Sequence, residues 1–216
     1  MAEVVLLEER GEAKRAVVKY SALERLLHLV HLVSFVVLAL TGLALTYRSA
    51  GWAVYLFGSY AAVKAIHHLF AWIFVISAGL FFLKLLPHAR FAPYDAEWIS
   101  KLGGYLDRSH RVRAPAGRVN AGQKLFFWFV LLGIIVLAVT GFVIMYTPAQ
   151  PGQALHLALH DLAAGLVIAA VLVHLYLTTI ANPGTFWIMI TGQADEDYIR
   201  EHNPQWYEEL KEKGLL

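Results

Sequence analysis

The 216-residue chain contains no cysteine. That absence excludes disulfides, iron–sulfur clusters, thiolate-ligated haem and covalent attachment of a c-type haem, so any metal must be held by histidine or carboxylate. Charge is scarce too: Asp, Glu, Lys and Arg make up 16% of the residues, against about 25% in an ordinary soluble domain. Hydrophobic residues reach 58%, which is the composition of a membrane protein. A cleavable leader is not evident, because the first twenty-five residues mix Glu3, Glu8, Glu9, Arg10, Glu12, Lys14, Arg15, Lys19 and Arg25 with only a very short apolar run. The first apolar segment is therefore expected to stay in the membrane.

Four segments are long and apolar enough to cross roughly 30 Å of hydrocarbon at about 1.5 Å per residue, over about 26–46, 62–86, 124–146 and 154–181. They predict an all-α, integral membrane four-helix domain over 26–181, preceded by an N-terminal segment, 1–25, and followed by a tail, 182–216. The connection between the second and third spans, FAPYDAEWISKLGGYLDRSHRVRAPAGRVNAGQK, has the Gly, Pro and charge content of a surface loop.

Lys and Arg are distributed unevenly. Five lie in the N-terminal segment, eight in the middle loop and its flanks, and three in the tail; Arg48 and Lys64 are the two exceptions, and YTPAQPGQ before the fourth span has none. The excess of positive charge marks the cytoplasmic side, so both termini are expected to be cytoplasmic. The basic stretch RSHRVRAPAGR reads as part of that positive, solvated loop. A weak internal echo relates LALTGLAL at 38–45 to LAVTGFVI at 137–144. In each, the threonine can bond back to its own helix, and the glycine permits close approach of a neighbouring helix or of a flat ligand.

Histidines then sort by depth. His28 lies near the cytoplasmic start of the first span and His174 near the cytoplasmic end of the fourth; His67, His68 and His160 lie near the opposite side. His160 and His174 are fourteen residues apart, which puts them about 40° apart on one helix face and about 21 Å apart along the axis. Two b-type haems stacked across a bilayer need such an arrangement, and bis-histidine ligation leaves iron no open position, so such a centre carries electrons. His67 and His68 point about 100° apart, so only one of them can face a given iron. His31, one turn from His28, is an alternative to it, whereas His156 lies too far toward the membrane edge.

The segments KYSALERLLHLVHLVSFVVLALTG, IHHLFAWIFVISAGLFFLK, VNAGQKLFFWFVLLGIIVLAVTG, LHDLAAGLVIAAVLVHLY and HNPQWYEEL resemble the cytochrome b (gamma) subunit of membrane-bound respiratory formate dehydrogenase, over nearly the whole chain from Lys19 to Leu210. The resemblance implies two haem b groups, the external one held by His67 and His160 and the cytoplasmic one by His28 and His174. It implies a quinone site, for menaquinone or ubiquinone, that includes Asn120, Gly122 and Gln123, where amides can donate to a quinone carbonyl and a glycine lets the backbone approach the ring. It also implies an iron–sulfur beta subunit with a membrane anchor, a catalytic alpha subunit carrying molybdopterin with molybdenum or tungsten, lipid contacts, a trimer of such heterotrimers and a place in the bacterial inner membrane. Nothing in the chain points to nucleic acid.

NAGQK and the HNPQWYEEL tail are the specific parts; a four-helix cytochrome b alone would fit a nickel–iron hydrogenase or another periplasmic oxidoreductase equally. The chain departs from the family pattern at His68, where an apolar residue or proline is common. A haem-free anchor or transporter is the reading from another class. No residue looks able to oxidise formate, so that chemistry is expected on a partner. The external loops from Arg48 to Tyr60 and from Tyr146 to Ala154 are candidates for docking it.

Overall fold

A computed structural model describes residues 4–9, 12–47, 52–105, 107, 114–148, 152–182 and 184–216. In chain order these form strands β1 (Val4–Glu9) and β2 (Glu12–Val18), then helices α1 (Ala22–Thr46), α2 (Trp52–Phe57), α3 (Tyr60–Leu85), α4 (Asp95–Ser100), α5 (Ala121–Tyr146), α6 (Gln153–Tyr176) and α7 (Thr185–Thr191). Strand β3 (Gln193–Asp195) and helices α8 (Glu196–His202) and α9 (Pro204–Glu212) complete the chain. Residues 48–51, 149–151 and 108–113, which belong to the two candidate docking loops and the basic stretch, lie outside the described residues.

The four predicted spans are all helical: α1, α3 extended to His88, α5, and α6 extended to Ala181 are each long and apolar enough to cross a membrane. The protein is thus an integral, multi-pass membrane protein. Each helix begins one to four residues before the hydropathy of its span does, and at α1 and α5 a polar capping box sets the start. Ser21 and Glu24 form a capping box at α1, with Ser21 N–H donating to Glu24 Oε2 at 2.7 Å and Glu24 N–H donating to Ser21 Oγ at 3.3 Å. Asn120 and Gln123 do the same at α5.

Contacts divide the chain into two units. One, Leu26–Lys84 with Phe129–Val173, consists mainly of the long helices. Its packing inverts that of a soluble protein: Leu29, Val33, Leu80, Leu83, Leu132 and Leu166 are exposed, while Ser34, Thr41, Ser77 and Thr140 are buried. Lipid takes the place of water around the leucines, and the buried hydroxyls bond within their own helices; Ser34 Oγ, for example, donates to the Val30 carbonyl at 2.7 Å. Gly133 admits Val167, whose Cγ2 would lie 2.4 Å from a Cβ added there.

The other unit gathers the residues up to Arg25, Leu85–Trp128 and His174–Leu216. Here an antiparallel sheet in the order β1-β2-β3 is an element that the all-α expectation did not include. Val17 pairs with Ala194 in it, and Val17, Ile188, Ala194, Ile199, Trp206 and Leu210 form its core. Helix α9 starts on Pro204, whose missing N–H costs nothing at the first helical position, and it buries Trp206 and Leu210, one turn apart. The tail expected from 182 is therefore folded, and it closes on residues from the start of the chain.

Candidate functional site

The TG echo acquires a physical meaning in the first unit. Thr41 Oγ1 donates to the Val37 carbonyl at 2.7 Å and lies 2.8 Å from Nδ1 of His67. Thr140 Oγ1 donates to the Val136 carbonyl at 2.7 Å and lies 3.0 Å from Nδ1 of His160. Because each hydroxyl has spent its hydrogen on its own helix, it can only accept from the imidazole, which fixes the Nδ1–H tautomer and leaves Nε2 as the basic nitrogen. The adjoining glycines make room: a Cβ on Gly42 would come within 3.3 Å of His67 Cε1, and one on Gly141 within 3.0 Å of His160 Cε1.

The two bracketed rings lie edge to face, with centroids 6.4 Å apart. A metal–imidazole nitrogen bond of about 2 Å puts each ring centroid about 3 Å from the metal, so two axial imidazoles on one iron have centroids about 6 Å apart. The pair fits that requirement. Among the described residues no group of three or more His, Asp or Glu is placed to hold a bare metal ion, and a lone imidazole pair suits an iron whose other positions are filled by a macrocycle. It is His67, and not its neighbour His68, that meets His160 and Thr41. His156 is half-buried and lies with Nδ1 3.2 Å from the Gly152 carbonyl.

His28 and His31 also belong to this unit. The His28 ring meets Phe81 edge-on at 5.6 Å. His31 stacks on Phe74 at 4.6 Å, with Phe81 and Phe82 each at 6.2 Å, and its Nδ1 is buried without a hydrogen-bond partner. In the other unit, His174 stacks almost parallel on Phe126 at 4.5 Å. The turn after it is π-helical, Leu177–Ala181, and Thr178 Oγ1 donates to the His174 carbonyl at 2.8 Å.

The structure gives Asn120, Gly122 and Gln123 definite structural tasks. Gln123 N–H donates to Asn120 Oδ1 at 2.9 Å, and Asn120 N–H to Gln123 Oε1 at 3.1 Å. A Cβ on Gly122 would lie 2.6 Å from Cη2 of Trp98, so the ring that approaches this glycine is an indole. Trp98 is buried with Ala116 and Ala121 and meets Tyr105 edge-on at 5.9 Å. The capping oxygens are thus occupied, and the amide N–H groups are what these two side chains have to offer a ligand.

Sequence reasoning missed two buried cations nearby. Lys124 pairs with Asp95 at 2.7 Å, both nearly inaccessible. Lys19 donates to Asn203 Oδ1 at 3.0 Å, and Asn203 Nδ2 donates to the Gly117 carbonyl at 2.6 Å. Burial, with the neighbouring Arg118 charge, lowers the Lys19 pKa to about 7. Arg118 also bonds the Lys19 carbonyl and the His88 ring. The signal for Lys19 was its place in KYS and that of Asn203 in HNPQW, two motifs whose meeting no local pattern reveals.

A family model described as prokaryotic cytochrome b561 matches residues 19–192. The chain is 26% identical over 209 residues to the cytochrome b556(Fdn) subunit of the nitrate-inducible formate dehydrogenase of Escherichia coli (strain K12), covering 91% of this chain and 93% of that one. It is 26% identical over 200 residues to the cytochrome b556(fdo) subunit of formate dehydrogenase from the same organism, with coverage of 90% and 93%. Identity to the formate dehydrogenase cytochrome b556 subunit of Haemophilus influenzae is 24% over 209 residues, with coverage of 89% and 83%.

Proposed function

Because the chain belongs to the prokaryotic cytochrome b561 family, whose members are membrane electron-transfer haem proteins, we propose that it is the di-haem cytochrome b subunit of a membrane-bound formate dehydrogenase. It takes electrons from an iron–sulfur beta subunit, itself fed by a molybdopterin alpha subunit, and passes them across the bacterial inner membrane to a quinone. The observation that carries this reading is the repeated bracket, Thr41 on His67 and Thr140 on His160, with the rings 6.4 Å apart.

Bound haem supplies a one-electron iron couple. The chain supplies everything that makes the couple a relay. His67 and His160 would hold the external haem, and the threonines keep both rings in the tautomer with a free Nε2. An iron held by two histidines would have no open position for oxygen. His28 and His174 would hold the cytoplasmic haem, a pairing supported only by their depth in the sequence and by the family resemblance. Asn120, Gly122 and Gln123 form the quinone site at the first turn of α5, where the amide N–H groups of Asn120 and Gln123 donate to the quinone carbonyl. Clustered Lys and Arg support a cytoplasmic position for this end of α5. Trimers of the heterotrimer follow from the same resemblance.

Haem content tests the reading directly. A pyridine haemochrome count and a reduced-minus-oxidised spectrum are expected to give two b haems in the wild type and one in each of His160→Ala and His174→Ala. An unchanged count in both variants sinks the ligand assignment. In the purified complex, formate and not dihydrogen is expected to reduce the haems, and the opposite result would make the partner a hydrogenase.

A further inference from the structure

Helix α4 lies against the first turn of α5 through two side chains. Trp98 covers Gly122, and Asp95, one turn earlier on α4, pairs with Lys124, the last residue of NAGQK. The Lys124 amide donates to the Asn120 carbonyl at 3.0 Å, so Asn120 and Lys124 sit on one face of α5, about 6 Å apart along its axis. The Asp95 carboxylate is 1% exposed, and its two oxygens are unequal. Oδ2 takes the Lys124 ammonium at 2.7 Å and the Ala92 N–H at 2.6 Å, whereas Oδ1 is buried without a hydrogen-bond partner. A buried carboxylate oxygen that lacks a protein donor is costly and calls for an explanation, and a redox or catalytic role is one that such groups serve. Packing alone does not require it, since Trp98 already holds α4 on α5.

We propose that Asp95 is the proton-transfer residue for the quinone bound beside Asn120–Gln123, with Oδ1 carrying the proton and Lys124 holding the carboxylate between transfers. The proposal rests on the quinone reading of that turn. Each quinone takes two electrons, which come from the reduced haems of the same chain, and two protons. In each proton transfer the O–H bond on Asp95 breaks and an O–H bond forms on a quinone oxygen. The carboxylate left behind stays paired with Lys124 until cytoplasmic water protonates it again. The other titratable groups around the pair are Tyr94, whose ring lies 5.4 Å from Lys124 Nζ, and Glu209, whose charge reaches Tyr94.

The test uses the whole complex, purified with its haems reduced by formate, mixed with a soluble menaquinone analogue in a weakly buffered medium containing a pH indicator. Asp95→Asn is expected to keep both haems and to slow haem reoxidation and proton uptake together, on the order of 10²-fold, as loss of a general acid does. The slowing should deepen as pH rises, and Asp95→Glu should restore both rates. Infrared difference spectra on quinol formation should show a carboxyl C=O band that shifts in Asp95→Glu, a readout that stands even if Asp95→Asn does not assemble. Reoxidation and proton uptake unchanged in Asp95→Asn, or no band that follows the substitution, overturns the proposal. If Asn120→Ala with Gln123→Ala abolishes quinone reduction while Asp95→Asn does not touch it, the quinone site stands and the proton role falls. If neither set affects quinone reduction, the site itself is wrong.

Discussion

Thr41 and Thr140 each spend their own hydrogen on a carbonyl one turn back, so the only service they can offer an imidazole is to accept. In the proposed bis-histidine site, removing that acceptor would make His67 or His160 a poorer donor to iron and a less firmly oriented one. Thr41→Val and Thr140→Val are each expected to weaken retention of the nearer haem by about 10- to 100-fold and to raise its midpoint potential, with the other haem unmoved; haem titration and a redox titration read both. Lys19 offers a second residue-level test. Its folded pKa, about 7, lies below the ordinary 10.5, so between these values the unfolded chain binds more protons than the folded one, and stability must rise with pH. Thermal unfolding in detergent should therefore show a stability that climbs from about pH 7 to about pH 10 and is flat below. Lys19→Met should flatten that climb.

At the scale of elements, the four spans were readable because a bilayer imposes length and apolarity on every crossing helix. Depth along one helix also separated His160 from His174 without any coordinates. The TG echo was visible in 38–45 and 137–144, but its use was not: which ring rests on which glycine depends on helix neighbours, and a sequence does not order its helices. The same limit hid Asp95, which looked like one more polar residue in a loop, and hid the pairing of β2 with β3 across most of the chain. Helix α5 shows how one turn can serve two purposes. Its capping box closes the helix start, so Asn120→Ala is expected to cost about 1 kcal/mol of stability in addition to any effect on quinone. Gly122→Ala would drive a methyl to 2.6 Å from the Trp98 ring, and overpacking of this kind costs about 1–3 kcal/mol. A lower thermal midpoint with haem content unchanged is the expected result.

For the whole molecule, what matters is on which side each step happens. In the proposed topology electrons would enter by way of His67 and His160 and protons at the opposite side, which would make turnover electrogenic. Complexes reconstituted in proteoliposomes with quinone should generate a membrane potential when formate is added outside, and a potential that does not change would remove the proposed topology. The folded tail bears on the same end of the chain. Lys19 and Tyr20 N–H groups donate to the Gly192 carbonyl at 2.7 and 3.0 Å, and Trp206 and Leu210 close the core beneath. Trp206→Ala should cost about 3–5 kcal/mol, seen as early proteolysis of the tail while the absorbance of the external haem persists. Pairing of Val18 with Gln193 also sets an order of events during synthesis. At roughly 5–20 residues per second, β2 leaves the ribosome about 10–35 s before its partner strand exists. All four spans are made in that interval, so β2 waits for β3, and the sheet closes only after the last span has been synthesised.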